Sequence, residues 1–219
     1  MLKIDKRSAV LALALGCVLT FAVGLRGWAY SEELQGGVAS QMMRFHVRAN
    51  SDSDFDQTLK ILVRDGVLDH FRQPLEAAST LEETRNFIAK NLDEIEAFAA
   101  ALVTKEAQGF NYPVAARLST EFFPTRAYGG VRLPAGRYET LRIDIGGAVG
   151  ENWWCVMFPP LCYVDVSVSE IPEQEKETLR YILTDEEYAL VTGDIQVKFK
   201  VVEWWQTVRQ ETEMRFARN

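Results

Sequence analysis

The apolar residues of this chain form one continuous block first and periodic patterns only later. Residues 8–25 contain no charged side chain and are preceded by Lys3, Lys6 and Arg7. As a helix, the block would span about 27 Å, which lies between a cleaved secretory segment of about 7–15 residues and a membrane-spanning helix of about 20. Because basic residues precede it, we expect an export signal or anchor that leaves the remaining chain outside the membrane.

Two fates of this block stay open, cleavage and retention. Ala29 and Ser31 place small side chains at positions −3 and −1 of a cleavage site before Glu32. An uncleaved block would instead anchor the chain in the membrane through residues 8–25. We predict a signal peptide or membrane anchor at residues 1–31, a polar spacer at 32–42 and an exported domain at 43–219.

Alternation and then helical periodicity follow the spacer. Residues 43–49 alternate apolar and polar side chains, which predicts a strand. The polar run at 50–54 ends this strand, and Ser53 with Asp56 has the spacing of a helix cap. Apolar residues on one helical face then predict a helix that ends near Pro74.

A second helical region is predicted from another cap signature. Ser79 and Glu82 have the spacing of a capping box. The region continues to residue 107 and is ended by Gly109, with Asn91 as the candidate point for a break. Its apolar stripe predicts that one side is buried.

The period changes from helical to alternating after residue 109. Alternation predicts strands at 112–123, 141–145, 154–158, 162–168 and 195–201, with a short helix at 185–191 and a helix at the C-terminus. Because helices come first and strands later, the predicted class is α+β. We expect an N-terminal signal or anchor helix, then helices followed by a mainly antiparallel sheet in one compact domain.

Charge separates the two parts of the chain. The whole sequence has a formal net charge of −7, but residues 1–31 hold four basic side chains and one acidic one. The predicted exported part therefore has 20 basic and 30 acidic residues, a balance of −10. Phosphate backbones repel such an acidic body, so we expect no nucleic-acid partner.

Two cysteines, Cys155 and Cys162, lie in the predicted exported part. In an oxidising compartment they suggest one disulfide, and a turn between them would bring their Cα atoms within the required ~4.4–6.8 Å. Two buried free thiols are the alternative. A zinc site would also need both histidines, His46 and His70, so we expect no metal and no other cofactor.

Catalytic patterns are weak throughout the sequence. Cys155 as a nucleophile would need a nearby base, for which His46 is the better candidate. The chain contains no nucleophile elbow and no H-E-x-x-H helix, and the glycine-rich residues 146–150 lack the features of a phosphate loop. We therefore expect a protein that is not an enzyme and has no small-molecule substrate.

The adjacent Trp153 and Trp154 are more informative than any catalytic pattern. Neighbouring residues on a strand face opposite sides, so we expect one ring inside the protein and one available outside. An outward tryptophan is a good anchor for a protein or sugar partner.

Three passages resemble the stage II sporulation protein R family of endospore-forming bacteria. They begin with RFHVRANSDS at residues 44–53, FPT at 123–125 and NWWCV at 152–156, and together they cover most of residues 44–165. The chain departs from the family's pattern at two loop positions. Ala148 replaces the middle glycine of a Gly-x-Gly-x-Gly loop, and Gly130 stands where Asp or Asn is usual.

This resemblance implies signalling rather than catalysis. Family members are made in the forespore and exported across the cytoplasmic membrane into the space between two membranes. There they activate a membrane-embedded aspartic protease of the mother cell, which processes the precursor of a compartment-specific sigma factor. The implied partners are this protease and, through the N-terminal segment, the membrane.

A set of polar and aromatic residues is predicted to contact the partner: Arg44, Arg48, Asn50, Asp52, Arg64, Trp153 and Trp154. Alternatives stay open for the polar members, because residues 50–53 also fit a helix cap and turn, and Arg64 could pair with Asp65. Two other functions stay open as well. One is a secreted cell-wall hydrolase that uses a thiol or carboxylate, and the other is a peptidoglycan-binding module that uses exposed tryptophan.

Overall fold

The computed structural model describes residues 5–107, 109–163 and 171–193. The helices in these ranges are α1 (Lys6–Ser40), α2 (Asp54–His70), α3 (Arg72–Ala77), α4 (Leu81–Lys90), α5 (Leu92–Glu106), α6 (Glu173–Ile182) and α7 (Asp185–Thr192). The strands are β1 (Met43–Arg48), β2 (Val114–Phe123), β3 (Arg126–Tyr128), β4 (Val131–Leu133), β5 (Gly136–Ile145) and β6 (Asn152–Phe158). A 3₁₀ turn at Leu161–Tyr163 follows β6.

The helix α1 contains the apolar block and continues beyond it. The apolar side chains of residues 8–30 are exposed, and by length and composition α1 is suited to cross a membrane. The predicted spacer is helical as far as Ser40, and Val38 and Ala39 are buried. Gly37 lies so close to the Glu187 side chain of α7 that a Cβ would collide with it. The end of α1 therefore packs into the domain.

Four strands form one sheet in the order β2–β5–β1–β6. The pairs β2–β5 and β1–β6 are antiparallel, whereas β1 and β5 are parallel. The parallel pair arises because α2 to α5 and β2 lie between these strands and return the chain to the end where β1 began. β3 and β4 form a separate antiparallel hairpin. The predicted α+β class with a mainly antiparallel sheet is confirmed.

The helices α2 to α5 lie along one face of the sheet. Phe45 and Val47 of β1 and Ile143 of β5 meet apolar residues of these helices, such as Ile95, in one buried core. The predicted break at Asn91 is confirmed, since this residue separates α4 from α5. The alternation seen in β1 thus identifies the side of the sheet that the helices cover.

The hydrogen bonds at the starts of α2 and α4 show which residues cap these helices. Ser53 caps α2 by accepting a hydrogen bond from the backbone N–H of Asp56 at 3.2 Å, as predicted. The cap predicted at Ser79 is wrong by one residue. Thr80 accepts from the N–H of Glu83, while the Ser79 N–H donates to the Glu83 carboxylate.

A smaller core covers part of the opposite face. The end of α1, the β3–β4 hairpin, α6 and α7 build it together with Tyr138 of β5 and Val156 of β6. The sequence pattern does not predict α6, because this helix is strongly charged and only Leu179 in it is buried. Beyond this core, toward the C-terminal ends of β1 and β5, the same face is polar.

The later predicted elements have mixed outcomes. The short helix predicted at 185–191 is confirmed as α7, which Thr184 and Glu187 begin with a capping box. The strand predicted at 162–168 is wrong at Cys162, where the chain turns as a 3₁₀ helix back toward β6, and its residues 164–168 lie outside the described residues. The strand predicted at 195–201 and the C-terminal helix lie outside the described residues.

Candidate functional site

The polar face of the sheet collects side chains from all four strands. The side chains that point to it come from two neighbouring rows of residues that are paired across the strands. From β2 to β6, the first row consists of Arg117, Arg142, His46 and Trp154, and the second of Ala115, Asp144, Arg48 and Asn152. With Glu121 of β2, these residues form what we call the polar face.

His46 joins three strands at the centre of the polar face. Its Nδ1 lies 2.6 Å from Glu121 Oε2 and its Nε2 lies 2.9 Å from Asn152 Oδ1. The ring is almost fully buried and packs edge-on against Phe123 and Trp154. The predicted exposed or catalytic alternatives for His46 are replaced by a bridging role between β2, β1 and β6.

Arginine and carboxylate side chains form a continuous network beside His46. Arg142 donates from Nη1 to Glu121 at 2.9 Å and from Nε to Asp144 at 2.8 Å. Arg117 donates to the other oxygen of Asp144 at 2.6 Å, and Arg48 donates to the carbonyl of Ala148. Three guanidinium groups therefore face two carboxylates, which gives a positive spot on an acidic protein.

Hydrogen bonding keeps Glu121 ionised in this network. Burial acts to raise the pKa of the Glu121 carboxyl, but hydrogen bonds from Arg142, His46 and Ser119 outweigh burial and hold the pKa below its usual value. A charged carboxylate strengthens each of these bonds relative to a neutral acceptor. The network thus stabilises one arrangement of the strands at neutral pH.

No motif in the sequence marks Arg117, Glu121, Arg142 or Asp144 as site residues. Their common signal is charge at alternating positions of β2 and β5. That signal marks an uncovered sheet face, but it does not show which strands are neighbours. A shallow cavity of about 310 Å³ opens beside Arg48, Arg142 and Asp144.

Two loops are bonded to each other where β1 and β5 end. Asn50 accepts from the N–H of Gly147 at 2.8 Å and donates to Asp56 at 2.8 Å. Asp52 accepts from the N–H of Glu151 at 2.6 Å. We call residues 49–53 and 146–151 the paired loops. Asn50 and Asp52, predicted as contacts, hold these loops together, which agrees with the turn alternative.

Lys60 closes the paired loops from the side of α2. Its ammonium group donates to Gln57 Oε1 at 2.5 Å and to the carbonyl of Glu151 at 3.0 Å. Burial lowers the pKa of Lys60, with the nearby Glu151 and Asp52 carboxylates acting in the opposite direction. This lysine fixes the second loop to α2.

Trp153 faces the helices and is half-buried. Its ring meets Phe45 edge-on, and the Arg64 guanidinium lies over it at 4.6 Å from the ring centroid. Arg64 also donates to Asp65 at 2.6 Å, so the predicted alternative of an internal ion pair is present. Such stacking of Arg on Trp contributes about 0.5–1 kcal/mol when it is partly exposed.

Trp154 points to the opposite side, as the alternation predicts. Its ring is also half-buried and packs against Phe123 and His46, with the Arg126 guanidinium 4.9 Å from its centroid. The expectation of one inner and one outer ring is therefore only partly met. Each tryptophan is partly buried and has an arginine beside it.

Arg44 is not a surface residue, which corrects its prediction as a partner contact. It is fully buried, and its guanidinium lies over the rings of Phe123 and Tyr138 at 4.6 and 4.3 Å. Burial raises the pKa of Tyr128 and Tyr138, and the positive charge of Arg44 acts against that increase. Arg44 belongs to the core because flat aromatic rings can cover its charge.

Cys155 and Cys162 form a disulfide with a Cα–Cα distance of 5.1 Å. The bond removes the thiolate that a Cys155 nucleophile would need. Cys155 also faces the helices, whereas His46 faces the polar side of the sheet, so the two cannot act as a pair. The described residues hold no group of three or more His, Cys, Asp or Glu side chains arranged for a metal ion.

Comparisons with known proteins agree on one family. The family model described as stage II sporulation protein R (spore_II_R) matches residues 39–168. The stage II sporulation protein R of Bacillus subtilis (strain 168) is 37% identical over 183 residues, which cover 76% of this chain and 81% of that protein. No solved structure matches the chain. The matched residues include the paired loops, both tryptophans and the polar face.

Proposed function

The chain belongs to the stage II sporulation protein R family and serves sporulation, and from this premise we propose that it is an exported signalling protein. It activates a membrane-embedded aspartic protease of the neighbouring compartment. The protease then processes a mother-cell pro-sigma factor. The chain itself acts by contact, after export into the space between the two membranes.

Two features of the chain support export and action outside the cytoplasm. α1 is apolar, exposed and long enough to direct the chain to a membrane. The disulfide is typical of proteins that work in oxidising compartments. Both features suit a domain that reaches a receptor from outside the cell that made it.

The observation that carries the proposal is the position of the recognition-type side chains relative to α1. The end of α1 lies beside Gly136, where β5 begins. The paired loops follow the other end of this ten-residue strand, about 30 Å away at 3.3–3.4 Å per residue. A domain held at α1 would therefore present the paired loops and the adjoining polar face away from its own membrane.

Activation by contact requires a difference in affinity between two states of the protease. Moving a receptor from 1% to 99% active needs about 5.5 kcal/mol of such difference. Interface residues of the Trp and Arg type contribute about 2 kcal/mol or more each when they are central. We propose Trp153 and Trp154, with Arg48 and Arg64 beside them, as these contacts.

Reconstitution in an unrelated bacterial host tests this function. The full chain, the candidate protease and the pro-sigma factor are produced together, and processing is followed by immunoblot. We expect cleavage only when all three are present, and none when the protease carries Asn at its catalytic Asp. Unchanged pro-sigma factor in the presence of the wild-type chain would reject the proposal.

The same preparation separates the two remaining alternatives. A peptidoglycan-binding module would be retained by purified cell wall without any protease. A carboxylate-dependent wall hydrolase would release soluble fragments from that wall. We expect neither retention nor release.

A further inference from the structure

The strand β2 is the outermost strand on one side of the sheet. It pairs with β5 along its whole length, from Val114 to Phe123, and no described strand pairs with its other edge. An unpaired edge presents a row of backbone N–H and C=O groups that another strand can use. Many proteins bind an extended segment of a partner as an added strand at such an edge.

Two hydrogen bonds fix which backbone groups of β2 face outward. The carbonyl of Pro113 accepts from the Gly146 N–H, so this residue is turned toward β5. The N–H of Ala116 instead donates to the Glu96 carboxylate of α5 at 2.8 Å, on the side away from β5. By alternation, the even-numbered residues 118, 120 and 122 also direct their N–H groups outward.

Charge and exposure around this edge indicate the kind of segment it fits. Arg117, which is about half exposed, projects from β2 to the polar face. Arg137 reaches from β5 to the carbonyl of Thr120 at 3.3 Å, and Phe122 is 66% exposed on the face opposite Arg117. The edge therefore has two arginines beside it, of which Arg117 is bonded to Asp144 and Arg137 to the outward carbonyl of Thr120, and one large apolar side chain near its end.

We propose that the outer edge of β2 binds an extended segment of the protease as a fifth strand of the sheet. The segment has an acidic side chain where it passes Arg117 and an apolar side chain where it passes Phe122. Glu96 limits the edge at Ala116, because its carboxylate occupies the N–H that the added strand would use. This inference rests on the proposed function and adds a second contact with the protease, on the side of the sheet opposite Trp153 and Trp154 of β6.

A single backbone donor distinguishes this proposal from a side-chain contact. Thr120 is exposed and its N–H faces outward, so Thr120→Pro removes that donor and fills the edge without breaking a bond to β5. Thr120→Ala keeps the donor and is the matched control. We expect Thr120→Pro to reduce pro-sigma processing at least tenfold in the reconstituted host, and Thr120→Ala to stay within twofold of wild type.

Glu96→Ala tests the same edge in the opposite direction. Removing the carboxylate exposes the N–H of Ala116, so half-maximal processing should need several-fold less of the chain. Glu106→Ala, at the end of α5, is the control and should change nothing. If Glu96→Ala needed as much of the chain as wild type does, the claim that Glu96 limits the added strand at Ala116 would be wrong.

Hydrogen exchange on the wild-type chain keeps the test independent of whether a variant folds. On mixing the full chain with detergent-solubilised protease, the outward-facing amides of residues 118, 120 and 122 should exchange at least tenfold more slowly. Equal exchange, or equal processing by Thr120→Pro and Thr120→Ala, overturns the edge as a docking site while the proposed function stands. Absence of processing by wild type overturns both, and slower exchange on concentrating the chain alone would assign the edge to a second copy.

Discussion

At the scale of single residues, Ala148 is held in a backbone conformation that suits glycine. Its φ angle is +52°, and it is the residue where the family's loop pattern has its middle glycine. A side chain in this region costs about 1–2 kcal/mol. About 0.4–1 kcal/mol of this cost is offset, because alanine lowers the conformational entropy of the unfolded chain relative to glycine.

We predict that Ala148→Gly raises the free energy of unfolding by about 0.5–1 kcal/mol. Urea denaturation followed by tryptophan fluorescence measures it. The control is Ala127→Gly in β3, an exposed position with ordinary φ, which should lower stability by about 0.5–1 kcal/mol. If Ala148→Gly and Ala127→Gly lowered the free energy of unfolding equally, the backbone of Ala148 would not be strained in the loop.

Arg44 shows where residue-level reasoning from the sequence stops. Alternation in β1 correctly separates its side chain from Phe45 and Val47, but it does not show whether a polar side chain reaches water. Arg44 is covered by Phe123 and Tyr138, which come from strands about 80 and 95 residues away. Trp153 and Trp154 could be assigned to opposite sides because that requires only neighbouring positions on one strand.

At the scale of elements, the His46–Glu121 pair ties the outer strand β2 to β1 across the intervening β5. Because the pKa of Glu121 is lowered in the folded state, its stabilisation is present above the unfolded value of about 4.3 and disappears as the pH falls through the folded pKa. We predict that Glu121→Gln lowers the free energy of unfolding by about 1–2 kcal/mol at pH 7. The deficit should shrink as the pH falls below about 4 and vanish once Glu121 is protonated in the folded protein.

Urea denaturation of wild type and Glu121→Gln between pH 3 and 7 measures this change. Glu177→Gln on the exposed surface of α6 is the control and should stay within about 0.5 kcal/mol throughout. A deficit that is constant with pH would mean that the loss comes from packing rather than from the charge of Glu121.

The elements that the sequence predicts best are those with local signals. The alternation of β1, the Ser53 cap and the break at Asn91 each depend on residues close together in the chain. The parallel pairing of β1 with β5 depends on a crossover of about 90 residues, and α6 has one buried apolar residue to mark it. The polar face requires the register of four strands, so only its alternating charges were available beforehand.

At the scale of the whole molecule, the folded domain begins inside α1 rather than after the predicted spacer. The smaller core includes Val38, Ala39 and Met42, and Gly37 packs against α7. We predict that a chain starting at Glu32 keeps its stability, whereas one starting at Met43 loses at least about 3 kcal/mol. Burying a Val or Met side chain contributes about 1.5–3 kcal/mol each.

Thermal and urea unfolding of the two shortened chains test this boundary. Ser40→Ala in the longer chain is the control, because Ser40 is exposed and should change stability by less than about 0.5 kcal/mol. Equal stability of the two chains would mean that residues 32–42 only connect the domain to α1.

Because the disulfide between Cys155 and Cys162 forms only in oxidising surroundings, the stability of the folded domain differs between the two sides of a membrane. Closing a loop of this size stabilises the folded state by about 2–3 kcal/mol in the chain-entropy model, and only where the surroundings are oxidising. If the chain is exported as proposed, its domain is therefore less stable in the reducing cytoplasm than in an oxidising space outside it. Oxidation after crossing favours folding on the far side and opposes return, so the domain would reach full stability only at its destination.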